Sequence, residues 1–311
     1  MEKINLSYII TTRNKLIYLQ EAMKRLIANV QPDEEIIVID GASTDGSAEY
    51  LNDLYKNGFI HQFISEPDIC QAHGTNKGML MAKGELIKII TDDDVFFYPG
   101  IQKCKEFMLS HPLIDVLNGN AAVQFKHKSP IRIMSERQDK FLLWFQSNGE
   151  PFWFSDHGLI FRRDKLPVLG LWHTGVICID VDFTLRITSL RQLNLAWFTG
   201  TLALAMICED SNFTRFSKTV SEDEARISRF YIKGYSTSKL NKTKTYLYAF
   251  GKKTKSIIFP QKVSTVNNEY FESSIIERFK ECDSWLLDNS EVGEQKYYYK
   301  DNIENRRLLQ G

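Results

Sequence analysis

Three consecutive aspartates, Asp92, Asp93 and Asp94, follow a short apolar segment that begins at Gly84. Adjacent carboxylates repel one another and are costly to remove from water, so a strand that ends in them needs water or a bound cation around it. Hard divalent cations such as Mg²⁺ and Mn²⁺ prefer oxygen ligands of this kind and keep other positions open for phosphate. The triplet predicts a metal site that also binds a nucleotide. Taken alone, it is equally compatible with a polar loop before a helix after Tyr98.

The segments before the triplet alternate between strands and helices. Apolar runs rich in β-branched residues predict strands at 4–12, 35–40, 59–65 and 84–90. Between them we expect helices at 16–30 and 48–55, and a loop followed by a helix within 68–83. Helical crossovers of this length imply parallel strands, and ligands bind beyond the carboxyl ends of such strands. We therefore expect an α/β fold, a doubly wound, mostly parallel sheet with helices on both faces. Asn14 is expected to cap the first helix.

Two common phosphate-binding fingerprints are missing from the sequence. No GxGxxG follows the first predicted strand, and GxxxxGK[ST] occurs nowhere in the chain. Dinucleotide-binding domains and P-loop enzymes use these glycine-rich loops to approach a phosphate. The phosphates of a bound nucleotide must therefore be held in another way. A metal bound to Asp92–Asp94 would hold them.

Composition sets further limits. The 311 residues include 43% hydrophobic residues, 39 basic and 39 acidic side chains, and five cysteines without CxxC spacing. A chain of this length can bury a large core. Its balanced charge by itself argues neither for nor against nucleic acid, and we do not expect nucleic acid as a partner. The odd, scattered cysteines argue against a disulfide framework and against a zinc site. Because we find neither a signal-peptide pattern nor an apolar run of about 18 residues, we expect a cytoplasmic protein that, at a membrane, lies peripherally on the inner face of the plasma membrane.

The composition changes after Phe216. Between 225 and 262 there are ten Lys or Arg and no Asp or Glu, interleaved with aromatic residues, whereas acidic residues dominate after Val263. The basic segment predicts attachment to an anionic membrane surface; the alternative is a solvated face that pairs with the acidic tail. Apolar residues of the tail recur at the spacing of one helical face: Phe271, Ile275, Phe279, Cys282 and Leu286. We expect a domain at 1–216, with halves at 1–112 and 113–216, and a mainly helical extension at 217–311.

Four separated stretches share their order and spacing with the motifs of one family. YIITTRN stands where that family has SVIIPTYN, and VIDGASTDGS where it has VVDDGSTDGS. SEPDICQAHGTNKGMLMAKGELIKIITDDD matches EPDxGxYDAMNKGxxxAxGEYIxFLNADD, and CIDVDFTLRI matches the helix EDYDLxLR. The chain resembles the metal-dependent, inverting glycosyltransferases of family 2, which have the GT-A fold. The resemblance is close over Ser7–Asp94 and thins to scattered motifs up to Phe216; it makes 1–112 the nucleotide-binding half and 113–216 the acceptor half.

This resemblance implies a binding site for a UDP-sugar. Asp40 would accept a hydrogen bond from the imide N–H of uracil, a role that a carboxylate can fill. The residues that would line the base pocket are Thr11, Thr12 and Arg13. Asp68, Asn76 and Lys77 would face the ribose and the diphosphate, and Asp93 would face the ribose. Asp92 would also belong to the nucleotide-binding residues. Asp94 together with Asp92 would hold a divalent metal, Mn²⁺ or Mg²⁺. The alternatives are a turn-starting role for Asp40 and a solvated helix charge for Lys77.

Three positions depart from the family pattern. Arg13 replaces the usual aromatic residue after the first strand and could stack on a base as a planar guanidinium. His73 replaces the usual Asp of YDAMN, and Thr91 replaces the usual Asn or Asp three residues before the last aspartate. These departures concern the donor base and sugar, whereas the metal site keeps its aspartates.

The acceptor side is expected near the helix that begins at Asp180. The resemblance aligns Asp180 with the catalytic base of the family, and Asp182 is the second candidate. The two residues lie about 200° apart around a helix, so only one can face the site. Asp182 has the alternative of pairing with Arg186 at i, i+4, which favours Asp180 as the base. His157 is expected to contact the acceptor or a phosphate, with a structural role as the alternative.

Together these inferences predict an inverting glycosyltransferase that moves a hexose or N-acetylhexosamine from a UDP-sugar to a saccharide acceptor. We expect this acceptor to be lipid-linked and the pathway to be bacterial surface-polysaccharide assembly. The enzymatic alternative is a nucleotidyltransferase acting on a sugar phosphate; such an enzyme normally has a glycine-rich loop after its first strand, and TTRNK has no glycine. The non-catalytic alternative is a saccharide-binding homologue, against which Asp94 and Asp180 argue.

Overall fold

The computed structural model describes residues 3–147, 149–208, 211–235, 268–291 and 294–299. Within them, one sheet contains the strands β1 (Leu6–Thr12), β2 (Glu34–Asp40), β3 (Gln62–Ser65), β4 (Leu86–Ile90), β5 (Val95–Phe96), β6 (Val116–Gln124), β7 (Arg132–Ile133), β8 (Ile160–Arg162), β9 (Leu195–Met206) and β10 (Tyr297–Tyr298). The helices are α1 (Leu16–Asn29), α2 (Ser47–Lys56), α3 (Gln71–Met81), α4 (Tyr98–Ser110), α5 (Glu136–Ser147), α6 (Leu166–Leu169), α7 (Ile179–Ser189), α8 (Asn212–Arg215), α9 (Ser217–Tyr231) and α10 (Asn268–Ser290). Two 3₁₀ turns, Asp156–Gly158 and Arg163–Lys165, flank β8.

The sheet has the strand order β10-β9-β6-β8-β4-β1-β2-β3, with β5 added to β9 and β7 to β6. Strands β3, β2, β1 and β4 run parallel to one another. Successive residues of β2 point to opposite faces, so Val38 packs with Leu19 of α1 while Ile39 packs with Met79 of α3. Helices therefore cover both faces, and the predicted doubly wound, mostly parallel α/β sheet is confirmed.

The second half of the sheet is mixed. Strand β8 lies antiparallel between β4 and β6, and β9 runs parallel to β6. Strand β5 pairs with β9, where Val95 lies opposite Leu204 and Phe96 opposite Ala203. The chain on both sides of the aspartate triplet is thus fixed in the sheet, by β4 before it and by β5 after it. This arrangement holds the triplet at the junction of the two halves.

Helix α10 packs onto the same sheet. Four of the five apolar residues that predicted its buried face are buried against residues of β5 and β9, namely Ile275, Phe279, Cys282 and Leu286. Phe271, the fifth, is 49% exposed. Strand β10 extends the sheet at β9. The division at residue 216 stays a prediction; α10 and β10 share the core of the sheet, whereas α9 packs on residues at the start of α7.

The basic segment 225–262 lies mostly outside the described residues. Its beginning, up to Tyr231, belongs to α9. The predicted membrane-binding role of this segment therefore stays a prediction. Among the helices of the described ranges, none is long and apolar enough to cross a membrane.

The start of α1 differs from the prediction. Asn14 does not cap this helix; it has a left-handed backbone with a φ of 54°, and its Oδ1 accepts a hydrogen bond from the Thr44 backbone N–H at 2.7 Å. The helix is capped instead by Asp45, whose Oδ2 accepts from the Leu16 backbone N–H at 2.9 Å. A carboxylate from a neighbouring loop satisfies the orphan N–H as well as a local cap does, and its charge is favourable at a helix N-terminus.

Candidate active site

Asp94 has the most hydrogen-bond partners in the aspartate triplet. Its Oδ2 accepts from Thr91 Oγ1 at 2.6 Å and from His157 Nε2 at 2.8 Å, and its Oδ1 accepts from the Met206 backbone N–H at 2.7 Å. Burial alone would raise the pKa of Asp94, but the charge and hydrogen bond of His157 lower it, and Thr91 adds to this. Asp94 is therefore ionised and fixed in orientation.

His157 lies in the 3₁₀ turn before β8, where its Nδ1 is 2.6 Å from Ser155 Oγ. Gly158 lets this turn approach β6 closely, since a Cβ there would lie 2.3 Å from the Gly119 carbonyl oxygen. Burial by itself lowers the pKa of His157, but Asp94 raises it to about 9. The imidazole is therefore protonated at neutral pH and forms an ion pair with Asp94.

A buried lysine supports the same turn. Lys88 lies in the middle of β4, and its side chain is shielded from solvent. Its Nζ donates to the backbone carbonyl oxygens of Ile89 and His157, both at 2.7 Å, and lies 4.9 Å from the centre of the Phe96 ring. Burial lowers the pKa of Lys88 to about 7. Lys88 thus ties β4 to the turn that carries His157.

The other two aspartates are close to Lys15 at the start of α1. Asp93 Oδ2 forms an ion pair with the Lys15 ammonium. Burial, with the charges of Asp94 and Asp92, raises the pKa of Asp93 to about 7 despite Lys15. Burial also raises the pKa of Asp92, again against the effect of Lys15. The buried carboxylates therefore repel one another, and an additional cation would relieve this repulsion.

The triplet fits a divalent metal of the magnesium or manganese type. It offers carboxylate oxygens, which these cations prefer. Asp94 Oδ1 accepts one hydrogen bond and retains a further lone pair for a ligand. Lys15 and His157 offset part of the negative charge of the triplet, but burial and the charges of Asp94 and Asp92 still raise the pKa of Asp93, so room for a further cation remains. Asp94 and Asp92 are thus suited to hold such a cation.

Asp182 and Asp180 lie in the first turn of α7 but have different surroundings. Asp182 is buried, and its Oδ2 accepts from Arg186 Nη2 at 3.1 Å. Its Oδ1 lies 3.4 Å from the hydroxyl of Tyr231, which donates to it. The i, i+4 pair that the sequence suggested is therefore present, and it occupies the Asp182 carboxylate.

Asp180 forms no ion pair with any described residue. Burial and the charge of Asp156 raise its pKa to about 7, while His157 acts in the opposite direction. These interactions connect Asp180 with the turn whose histidine binds Asp94. A carboxylate of this kind is partly protonated at neutral pH and can exchange a proton with a hydroxyl.

Asp40 ends β2 and is fully buried. Its Oδ2 accepts from the Ser43 backbone N–H at 3.0 Å and from the Ser65 hydroxyl at 2.6 Å. Its Oδ1 is also buried but accepts no hydrogen bond from the described residues. The contact with Ser43 is the turn-starting role considered from the sequence. The second oxygen remains for a ligand, because an unsatisfied buried acceptor costs free energy until a donor meets it.

The residues predicted for the base pocket lie beside Asp40. Thr12 is directly opposite Asp40 in the β1-β2 pair, and Thr11 precedes it. Arg13 is exposed, and its side chain runs across Gly41, where an added Cβ would lie 3.3 Å from Arg13 Cδ. The ends of β1 and β2 thus bring these four predicted residues to one edge of the sheet.

Among the residues predicted for the ribose and diphosphate, Lys77 and Asp68 are in contact. Lys77 Nζ lies 2.7 Å from both Asp68 Oδ1 and Glu66 Oε1, and the two carboxylates raise its pKa despite burial. His73 Nδ1 lies 3.0 Å from the same oxygen of Asp68. The histidine that departs from the family pattern therefore lies beside the pair of Lys77 and Asp68, and its Nδ1 also accepts from the Ile69 backbone N–H at 3.4 Å.

Asn76 has different partners. Its Nδ2 donates to the Trp172 carbonyl at 2.9 Å, and its Oδ1 accepts from the Trp172 backbone N–H at 2.8 Å. Both ends of the amide thus fix α3 to the loop before α7. The predicted contact of Asn76 with the ribose stays a prediction.

This geometry can be compared with known proteins. The model of glycosyl transferase family 2 matches residues 7–170, more than half of the 311 residues. The chain belongs to glycosyltransferase family 2. This confirms the resemblance found in the sequence motifs and sets aside the nucleotidyltransferase alternative.

Relatives of this family 2 glycosyltransferase include an uncharacterized glycosyltransferase of Nostoc sp., which is 25% identical over 239 residues, covering 72% of this chain and 71% of that protein. A poly-beta-1,6-N-acetyl-D-glucosamine synthase of Staphylococcus epidermidis is 23% identical over 185 residues, which cover 57% of this chain. The matched part is 44% of the synthase, so the chain corresponds to less than half of that protein.

Two solved structures have a similar fold. Mannosyltransferase PcManGT of Pyrobaculum calidifontis, in complex with GDP-Man and Mn²⁺, superposes with a TM-score of 0.57 at 13% identity, covering 94% of this chain and 77% of that one. TarS 1–349 of S. aureus, in complex with UDP-GlcNAc, also has a TM-score of 0.57, at 14% identity, with 95% and 97% covered. These similarities confirm the GT-A fold of the family 2 glycosyltransferase.

Sequence reasoning missed several residues of the site. Lys15 and Asp93 are 78 positions apart, and Ser65 is 25 positions from Asp40, so spacing could not reveal these pairs. Lys88 did leave a signal, because a charged residue inside the apolar run ELIKII must be buried if the strand is covered on both faces.

A second group of potential metal ligands in the family 2 glycosyltransferase consists of His127, Glu277 and Glu281, whose ligand atoms all lie within 4.8 Å of one another. His127 Nε2 is 3.3 Å from Glu281, and the Lys128 ammonium is 3.2 Å from Glu277. The Lys128 ammonium offsets the charge of Glu277. The group joins the connection after β6 to α10.

Proposed function

We propose that this family 2 glycosyltransferase is an inverting, metal-dependent enzyme that transfers a hexose or N-acetylhexosamine from a UDP-sugar to a lipid-linked saccharide in bacterial cell-surface polysaccharide assembly. The observation that carries the proposal is the surroundings of Asp180. This carboxylate has no ion-pair partner among the described residues and interacts with the turn whose His157 binds Asp94. Inversion by a single displacement requires one such base beside the donor site.

The donor is proposed from the uridine side of the site. Asp40 Oδ1 is a buried acceptor without a partner in the described ranges, which suits the imide N–H of uracil. The TarS structure contains UDP-GlcNAc, and one relative is named a poly-N-acetylglucosamine synthase. UDP-N-acetylhexosamines are therefore the first donors to test.

Asp94 and Asp92 would hold Mn²⁺ or Mg²⁺. When bound, the cation would stabilise the negative charge that develops on the leaving diphosphate. The similar mannosyltransferase structure contains Mn²⁺ with its nucleotide-sugar. Lys77, now paired with Glu66 and Asp68, would add positive charge near the same phosphates.

In the proposed reaction, Asp180 accepts the proton of an acceptor hydroxyl as its oxygen attacks the anomeric carbon. The new bond from oxygen to carbon forms while the bond from the anomeric carbon to the diphosphate breaks, so the configuration at that carbon inverts. Asp182, held by Arg186, keeps the first turn of α7 in place. The aligned site contributes by holding the two substrates in a reactive geometry.

The proposal includes attachment to an anionic membrane surface through the basic segment 225–262. Each basic residue near such a surface contributes about 1 kcal/mol. Co-sedimentation with anionic vesicles that weakens with salt is the expected result. Equal binding to neutral vesicles, or binding to neither kind, would remove this part of the proposal.

The activity is tested with a panel of UDP-hexoses and UDP-N-acetylhexosamines, Mn²⁺ and saccharide acceptors. We expect release of UDP rather than pyrophosphate, a β-linked product from an α-linked donor by NMR, and loss of transfer in EDTA. A product with retained α configuration would overturn inversion, and full activity in EDTA would overturn the metal requirement. If no UDP-sugar is turned over and UDP fails to stabilise the fold, the donor assignment is wrong.

A further inference from the structure

The guanidinium group of Arg137 has no polar partner in the described part of the chain. It lies in the first turn of α5, where its guanidinium carbon is 3.4 Å from the centre of the Trp153 ring. Its Nε is buried and donates no hydrogen bond, and its terminal amino groups make neither a hydrogen bond nor an ion pair with described residues. Burial lowers the pKa of Arg137, which reflects this lack of compensation.

Two other partly or fully buried arginines among the described residues have acceptors for their terminal nitrogens. Arg162 donates to Glu85 and to backbone carbonyls at the end of α4. Arg186 has an unpaired Nε like Arg137, but its terminal nitrogens donate to Asp182 and to a carbonyl before α7. A buried cation normally has such partners because its desolvation is costly. Arg137 is held instead by stacking on Trp153, which fixes the plane of the guanidinium and leaves its donors available.

The stacked pair lies at the proposed catalytic base. Trp153 packs on the cluster of apolar residues formed by the start of α7 and by α9. Asp180, Glu136 and Glu224 all act electrostatically on Arg137, but none of them comes within ion-pair distance. Lys140, one turn further along α5, adds a second positive charge. The charged neighbours of Asp180 therefore include Asp156, His157 and Arg137.

We propose that Arg137 binds an anionic group, a phosphate or a carboxylate, on the acceptor whose hydroxyl Asp180 deprotonates. This inference rests on the proposed function and specifies its acceptor class. A planar guanidinium with free donors matches the two oxygens of a phosphate or carboxylate, and such bidentate pairs are stronger than bonds to neutral hydroxyls. Trp153 would hold the guanidinium while the anion approaches its edge.

The test uses probe pairs that differ only by an anionic group: p-nitrophenyl β-glucuronide against p-nitrophenyl β-glucoside, and glycerol 1-phosphate against glycerol. Binding is measured by ligand-detected NMR titration of the full chain with Mg²⁺ and UDP present. We expect at least one anionic probe to bind about tenfold more tightly than its neutral partner, as one charge-assisted hydrogen bond contributes. Comparison of the two pairs shows whether carboxylate or phosphate is preferred.

In Arg137→Gln the preference for the anion should disappear, with unchanged binding of the neutral probe and of UDP. Arg137→Lys, which keeps the charge but not the planar fork, should lose most of the preference. Arg163→Gln is the matched control, because it removes an equal charge from an exposed arginine whose Nε donates to the Gly84 carbonyl at 2.9 Å, before β4; it should retain the preference.

The proposal is overturned if wild-type protein does not distinguish the probes, if Arg137→Gln keeps the distinction, or if Arg163→Gln loses it to the same degree. UDP-dependent thermal stabilisation, recorded on the same samples, tests the proposed function separately. If UDP has no effect but the anion preference depends on Arg137, the donor assignment fails while Arg137 stands as an anion-binding residue. If UDP stabilises the protein normally but no anion preference is found, the donor assignment stands and the anion-binding role of Arg137 is wrong.

Discussion

Asp180 and Asp182 differ by two positions but should differ widely in their effect on transfer. Asparagine has nearly the shape of aspartate but cannot accept the proton, so Asp180→Asn should lose about 10²- to 10⁴-fold in kcat, the range that general base catalysis contributes. Asp182→Asn should cost far less, because that carboxylate is occupied by Arg186 at 3.1 Å. Kinetics with a saturating UDP-sugar, alongside melting curves and UDP binding, separate the two. A larger loss in a folded, UDP-binding Asp182→Asn protein would transfer the role of base to Asp182.

The same carboxylate should determine the pH dependence of transfer. Burial and Asp156 raise the pKa of Asp180 to about 7, with His157 opposing, and the base works only when deprotonated. The kcat/KM should therefore rise as the pH increases through about 7 and be lost below it, because kcat/KM reports the pKa of the free enzyme. The measurement is kcat/KM across the range in which the protein stays folded. An activity that instead declines only near pH 4, where a solvated aspartate titrates, would show that Asp180 is not the group observed.

Recognition of uracil can be tested at Asp40. Its Oδ2 is used by Ser43 and Ser65, whereas its buried Oδ1 has no partner in the described residues. Asp40→Asn introduces an amide N–H2 that must face either the serines or the ligand. Losing a hydrogen bond to a charged acceptor costs about 1.5–3 kcal/mol, which is roughly ten- to hundredfold in the Kd for UDP. Calorimetry should show this loss with little change for a 5′-diphosphate that lacks a base. Equal affinity for UDP in both proteins would exclude Asp40 from base recognition.

At the scale of secondary-structure elements, α10 should be part of the catalytic fold. Phe279 is fully buried beside Val95 and Phe97, which directly follow the aspartate triplet. Phe279→Ala should therefore destabilise the protein by about 3–5 kcal/mol and weaken UDP binding at temperatures where the wild type is intact. Phe271→Ala on the same helix is the matched control, since that ring is 49% exposed. If the two variants melted alike, α10 would be an independent appendage.

The elements differ in how far the sequence could predict them. Strands β1 to β4 were recognisable because each is an apolar run in the sequence and helical segments lie between them. This alternation of strands and helices is typical of a parallel sheet. Strand β8 has only three residues and runs antiparallel between β4 and β6. Such a short element has no periodicity of its own, so its place depends on pairing between distant residues, such as Ile87 with Phe161.

In the candidate site, sequence motifs predicted individual residues, whereas their contacts with residues far away in the sequence could not be predicted. Motif position brought Asp40, Asp94 and Asp180 into consideration before any contact was known. The contacts that tune them come from other loops, as with His157 on Asp94 at 2.8 Å and Lys15 on Asp93. Asn76 has a partner that its motif did not indicate, because its amide pairs with the backbone of Trp172. Spacing specifies which residue is present, and tertiary packing specifies its partner.

At the scale of the whole molecule, the proposed site joins the two halves of the chain. The first half supplies Asp40 and the aspartate triplet, and the second supplies His157 and Asp180. The ion pair of His157 with Asp94 and the backbone bond of Met206 to the same carboxylate cross this junction. Ligands that bind at this junction should therefore stabilise both halves of the chain and not only one of them.

Thermal denaturation with UDP and Mn²⁺ tests this coupling. A ligand that binds only the folded state at about 100 times its Kd adds about 2.7 kcal/mol, and at roughly 2–4 °C per kcal/mol this raises Tm by about 5–10 °C. UDP with Mn²⁺ should raise Tm more than either alone, because the cation relieves the repulsion within the triplet and would contact the diphosphate.

The variants assign this effect to particular carboxylates. Relative to its own unliganded Tm, Asp94→Asn should lose the Mn²⁺-dependent increase and keep the part due to UDP alone, while Asp182→Asn should retain both. Glu281→Gln serves as a further control, because Glu281 belongs to the second group of possible ligands with His127. An Mn²⁺ effect that survives Asp94→Asn but disappears in Glu281→Gln would place the metal between the β6-β7 connection and α10, and the aspartate triplet would then have to bind the diphosphate by other means.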